Sequence, residues 1–112
     1  MKPLLASEFD SFLKRFDFFK DGELQEISIK SPSEIVLRLT TQDSSKDFDW
    51  VSITFEFSGV SDASLVDADK LHLVDMSDGI LLKKDGTNFA FRIVNSTCYI
   101  IFSNLKFEEG QF

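Results

Sequence analysis

The chain is poor in the residues that staple, bridge or interrupt a fold. It has one cysteine, Cys98, and two prolines, Pro3 and Pro32, among 112 residues. A lone cysteine excludes an internal disulfide, a cysteine-built zinc site and Cys-x-x-Cys redox chemistry. It suggests a reducing, cytoplasmic setting, and its apolar neighbours make Cys98 a small buried hydrophobe rather than a reactive thiol. The longest apolar run is Cys98-Tyr99-Ile100-Ile101-Phe102, against about 20 residues for a membrane-spanning helix, so no membrane association is expected. The N-terminal apolar stretch is short and soon meets Glu8, which suggests neither a secretion signal nor a lipidation motif. Glycines stand isolated at Gly22, Gly59, Gly79, Gly86 and Gly110. No Gly-rich loop cradles a phosphate, and no cofactor is expected.

What is present is acid and phenylalanine. Apolar residues make up 43% of the chain and charged residues 28%, a globular composition that suits one domain over residues 1–112. The net charge is −7, and most of it falls on residues 41–78, which hold nine acids and two bases. That stretch repels nucleic acid and anionic membrane and attracts a basic partner; it also keeps a Phe-rich chain soluble. Thirteen phenylalanines stand against one Trp and one Tyr. Phe has no polar handle, so most of these rings are expected in the core.

Phe9, Phe12, Leu13 and Phe16 recur at helical spacing, which predicts a helix from residue 3 or 4 to 17. After Asp21-Gly22 the period becomes two. Leu24, Ile27 and Ile29, the turn Ser31-Pro32-Ser33-Glu34, then Ile35, Leu37 and Leu39 predict a hairpin. Residues 41–47 read as a polar loop. Val51, Ile53, Phe55 and Phe57 alternate with polar residues as a strand that Gly59 ends. Residues 60–70 read as loop or helical turn, and Leu71-His72-Leu73-Val74 as a short strand. Asp85-Gly86 between alternating runs predicts a second hairpin. Further strands follow over residues 97–103 and 105–108, with residues 110–112 frayed. Short links favour antiparallel pairing. The expected class is α+β: an N-terminal helix packed on a meandering antiparallel sheet of six to eight strands, free to curl into a partial barrel. Its edges make a homodimer the default expectation for assembly.

No catalytic constellation stands out. His72 is the only imidazole base, and no Gly-x-Ser-x-Gly elbow accompanies it. Asp67, Asp69, His72, Asp75 and Asp78 suit a divalent cation by type. The spacing departs from a calcium loop, because Leu71 stands where the third acid belongs. Solvated loop acids beside an exposed histidine is the simpler reading. Glu56, flanked by Phe55 and Phe57, would be perturbed under a covered face; on an open face it is the polar half of an amphipathic strand, the favoured case. Phe89-Ala90-Phe91 matches the middle of an RNA-recognition signature, but Asn88, Arg92 and Val94 break it. Trp50 faces away from Val51, Ile53, Phe55 and Phe57, among Asp47, Phe48 and Asp49. It is a binding anchor if that face is open and a core residue if a second layer covers it, with burial the slightly favoured case. Phe18-Phe19 poses the same question.

Phe19-Lys20-Asp21-Gly22-Glu23-Leu24, followed by the Trp50-led strand that ends in Gly59-Val60, resembles a group of small bacterial single-domain proteins over residues 18–60. Some of these are similar to immunity proteins, which neutralise a toxin by binding it. The resemblance implies protein binding and transfers no catalytic residue, and Lys20 stands where a histidine is common. Two functions remain as expectations. One is a non-enzymatic acidic domain that binds a basic protein through Asp47, Asp49, Trp50 and Asp62. The other is a small-molecule or divalent-metal-binding protein using residues 67–78.

Overall fold

The computed structural model describes all of residues 1–112. Nine strands form two antiparallel sheets, in the order β1-β9-β4-β3-β2 and β5-β8-β7-β6. The strands are β1 (Lys2–Pro3), β2 (Glu23–Ser31), β3 (Glu34–Asp43), β4 (Asp49–Ser58), β5 (Asp62–Ser64), β6 (Ile80–Asp85), β7 (Asn88–Ile93), β8 (Tyr99–Phe102) and β9 (Asn104–Gln111). The expected α+β class with antiparallel pairing is what the chain adopts. The count is nine strands rather than six to eight, split between two sheets that do not close into a barrel. The chain leaves the larger sheet after β4, builds the smaller one, and returns as β9 beside β4. Gly59, with φ +64°, makes the exit, where a Cβ would lie 1.8 Å from Ser103 Oγ. β6–β7 is the Asp-Gly hairpin, with Gly86 at φ +63° in the turn.

Alternation decides which face is buried. On β4, Val51, Ile53, Phe55 and Phe57 turn inward, and Ser52, Thr54, Glu56 and Ser58 outward, only partly covered. Glu56 therefore lies on an open face. The inward residues of β3 and β4 meet those of β6, β7 and β8. Phe57 packs on Phe91 at 5.3 Å and on Phe102 at 5.0 Å between ring centroids. α1 (Phe9–Arg15) caps this core by setting Phe12 against Phe55 at 5.9 Å and Phe107 at 4.9 Å.

Several expected boundaries move, each for a physical reason. The α-helix is seven residues long rather than running from residue 3 or 4 to 17. A 3₁₀ turn, Ala6–Glu8, precedes it, and a second, Asp17–Phe19, follows with all three residues at positive φ. Left-handed backbone costs roughly 1–2 kcal/mol per non-glycine residue; burying Phe16 and Phe19 completely offsets it. Phe18 is half-buried. The predicted loop at residues 41–47 gives way to β3 as far as Asp43 and a 3₁₀ turn, Ser44–Lys46. Leu71-His72-Leu73-Val74 is not a strand: Ala68–Leu73 is a 3₁₀ helix lying along β2. Nor does the chain fray from residue 110, since Gly110 and Gln111 pair with Ser52 and Val51.

Phe55 touches the rings of Phe12, Phe19, Phe57 and Phe91 and is fully buried. Phe55→Ala should cost about 3–5 kcal/mol in a denaturant titration, whereas Phe48→Ala, in an exposed loop, should stay within about 0.5 kcal/mol.

Candidate functional site

Of the thirteen phenylalanines, eight are buried and three half-buried; only Phe48 and Phe112 are exposed, at 59% and 73%. Both lie at the Trp50 end of the larger sheet. Trp50 itself is 42% exposed and its ring lies 5.7 Å from that of Phe112, tilted 38°. The buried alternative for Trp50 is thereby overturned. No second layer covers its face.

The β3–β4 hairpin that carries Trp50 is built around Asp43, which is 0% exposed. Arg15 Nε donates to Asp43 Oδ1 at 3.1 Å and Arg15 Nη2 to Oδ2 at 2.7 Å, a two-point clamp. Ser45 N and Ser45 Oγ donate to Asp43 Oδ1 at 2.9 and 2.7 Å. Arg15 also bonds Glu109 on β9. The cluster joins α1, the hairpin and the end of β9, the three segments around the exposed rings. The hairpin also serves the unsatisfied carbonyls at the end of α1: Ser44 Oγ donates to Arg15 O at 2.7 Å, and Thr41 Oγ1 to Phe16 O at 3.3 Å. Phe48 N returns to Asp43 O at 2.9 Å. This closes the loop with Asp47 and Phe48 at φ +54° and +62°. A bulky ring held outward on left-handed backbone is strain of the kind found at functional surfaces.

Asp47 and Asp49 flank this tip as the sequence suggested. Asp62 does not. Trp50 and Ser58 mark opposite ends of β4, about 26 Å apart at the usual strand rise. Asp62 lies beyond Ser58 and accepts from Tyr99 OH at 2.8 Å, with the Arg92 guanidinium 5.0 Å from the centre of the Tyr99 ring. That bond to a carboxylate pushes the Tyr99 hydroxyl above its ordinary pKa. Nor do the acids of residues 41–78 form one flank. Asp43 is buried, Asp47 and Asp49 sit at the tip, Asp62 at the far end, and Asp67 and Asp69 in or beside the 3₁₀ helix along β2. The acidic surface that does form is the outer face of the larger sheet. There Glu23, Glu26, Glu34, Glu56 and Glu108 stand against Lys30, Arg38 and Lys106, placed by alternation and register. Sequence windows miss it because these glutamates come from four strands.

Asp67, Asp69, His72, Asp75 and Asp78 do not assemble: no three His, Cys, Asp or Glu side chains come together to hold a metal ion. Asp75 accepts from Ser77 N at 2.9 Å, and Asn95 Nδ2 donates to Asp78 Oδ2 at 2.8 Å. The hydroxyl and amide of Ser77 hold the Asp75 carboxyl below its usual range. Burial pushes the Cys98 thiol up to about 11, the state of an inert cysteine. Thr40 Oγ1 is the single buried side-chain polar atom without a partner, an omission that typically costs about 1–3 kcal/mol. A cavity of about 560 Å³ lies under the N-terminal segment, lined by Leu4, Leu5, Phe9, Phe89, Phe102 and Leu105 among others.

Comparison with known proteins finds no matching family model, no matching curated protein and no matching solved structure.

Two predictions follow from this geometry. The Arg15 clamp holds the Asp43 carboxyl at about 2, below its usual 3.8. Its contribution is therefore complete above about pH 4 and is lost as pH falls toward 2. Half-exposed Arg15 is screened by water, so the loss should be on the order of 1–2 kcal/mol. Denaturation midpoints across that window should show it in the native chain, and Asp43→Asn should remove it. Melting with calcium, magnesium or zinc should leave Tm unchanged, whereas a specific metal at 100 times its Kd would add about 2.7 kcal/mol.

Proposed function

We propose that the protein is a non-enzymatic binding domain whose partner is a basic protein. The contact surface is the β3–β4 tip and the adjoining outer face of the larger sheet. The observation that carries this reading is the exposure of Trp50, Phe48 and Phe112 at one place, beside Asp47 and Asp49, on a scaffold that buries or half-buries every other phenylalanine. Aromatic anchors ringed by charge are the usual centres of protein interfaces. A cytoplasmic home fits the lone buried Cys98, and the immunity-like resemblance points toward protein binding as well. Asp62 has no part in this surface.

The test is capture of partners from a lysate of the source cell, identified by mass spectrometry, with purified pairs then titrated. The captured protein should be basic, should elute as salt rises, and should bind the Trp50→Ala chain at least about 30-fold more weakly, the cost of losing a 2 kcal/mol anchor. Asp47→Asn with Asp49→Asn should weaken it too, and Asp62→Asn with Asp69→Asn should not. Binding that follows Asp62 and Asp69, or that ignores Trp50, would refute the assignment.

A further inference from the structure

The outer face of the larger sheet carries a groove that the strand pairing lays across the strands. Glu23, Thr40, Ser52 and Gly110 are consecutive register partners on β2, β3, β4 and β9. Gln42 and Trp50, with Phe112 beside them, form the row on one side; Arg38, Thr54 and Glu108 form the row on the other. From Thr40 to Gly110 the middle row is low, and Gln42, Trp50, Arg38 and Glu108 beside it are tall. A hollow of about 460 Å³ results, and a second of about 560 Å³, which also borders Gln111 and Phe112, lies between Trp50 and Lys46. Four strands at the usual spacing give a span of about 14 Å, the reach of about four extended residues.

Two observations point to an occupant. Thr40 is only 5% exposed, lines this hollow, and has an Oγ1 without a hydrogen-bond partner. Gly110 lies within β9, where glycine weakens a strand. Its φ is not positive, and a Cβ there would meet nothing nearer than Ser52 at 4.0 Å. The backbone does not require glycine at that position. What its small size does is keep the groove floor open.

We infer that the groove receives an extended, arginine-bearing segment of the partner protein. A guanidinium stacks on the Trp50–Phe112 pair, and the segment's main chain crosses Ser52 and Gly110. The choice of arginine rests on charge and shape. Around the hollow Glu23, Asp49 and Glu108 stand against Arg38 and Lys46, and a planar guanidinium both stacks on indole and pairs with carboxylates. This rests on the proposed binding role and specifies the partner's chemistry.

Trp50 is the sole tryptophan, so its fluorescence reads the site directly. The probe is a capped Ser-Arg-Ser-Arg-Ser peptide, compared with its citrulline counterpart and with cellobiose. The arginine peptide should saturate the Trp50 response, and citrulline should weaken binding at least tenfold. Gly110→Leu should weaken it at least tenfold while leaving Tm equal or higher, because it fills the groove floor and leaves Asp47, Asp49 and Trp50 themselves in place. No saturable response in the native chain would overturn the inference. An equal response to citrulline or cellobiose would overturn the cationic occupant. A response indifferent to Gly110→Leu would overturn the groove, and the wider binding role would then stand or fall on the Trp50 and Asp62 variants with the intact partner.

Discussion

The pairing of Arg15 with the buried carboxylate of Asp43 is the constraint on which the exposed surface depends. A carboxylate with no water of its own must be fully partnered. Asp43 finds its partners in a guanidinium from α1 and a serine from its own loop. The same guanidinium reaches Glu109, two residues before Gln111 closes β9 against Val51. One cation thereby fixes the helix end, the hairpin and the last strand relative to each other. The rings of Phe48, Trp50 and Phe112 are held outward on a base that cannot easily tilt.

The core explains why the surface can be aromatic at all. Phe12, Phe55, Phe57, Phe91 and Phe102 run as a chain of edge and tilted contacts from the helix through both sheets. Each buries apolar area without a polar atom to satisfy. With so much area withdrawn inside, the chain tolerates left-handed backbone at Asp17, Phe18, Phe19, Asp47 and Phe48. The edges of the two sheets are short, bulged or charged. β1 and β5 are two and three residues long, β2 is broken by two register shifts, and β6 carries Lys83, Lys84 and Asp85 at its end. Such edges resist indiscriminate pairing and leave the outer face as the surface on offer.

Much of this was legible in the sequence. Period-two alternation placed β2 to β4 and the Asp85-Gly86 hairpin, because an inward apolar set leaves a direct trace in the residue order. The end of β3 is not legible in the sequence, since Thr41 and Asp43 read as part of a polar loop. They are buried because Thr41 and the Asp43 turn serve the end of α1, a need that only the assembled structure displays. The last strand was lost at Gly110, where a turn-forming residue lies flat in a sheet. Trp50, Asp47 and Asp49 were found by their adjacency along the chain. Phe112 and the outer glutamates were not, because strand pairing, rather than sequence spacing, brings them together. Asp62 was grouped with Trp50 by the same linear reasoning, and the length of β4 separates them.

The Asp43 cluster organises the tip. Amide hydrogen exchange in the native chain and in Asp43→Asn, at neutral pH, tests it most directly. Exchange should accelerate at Phe48 and Gln111 while the amides of Phe57 and Phe91, deep between the sheets, stay protected. Unchanged protection at Phe48 and Gln111, or a uniform loss across the whole molecule, would contradict it.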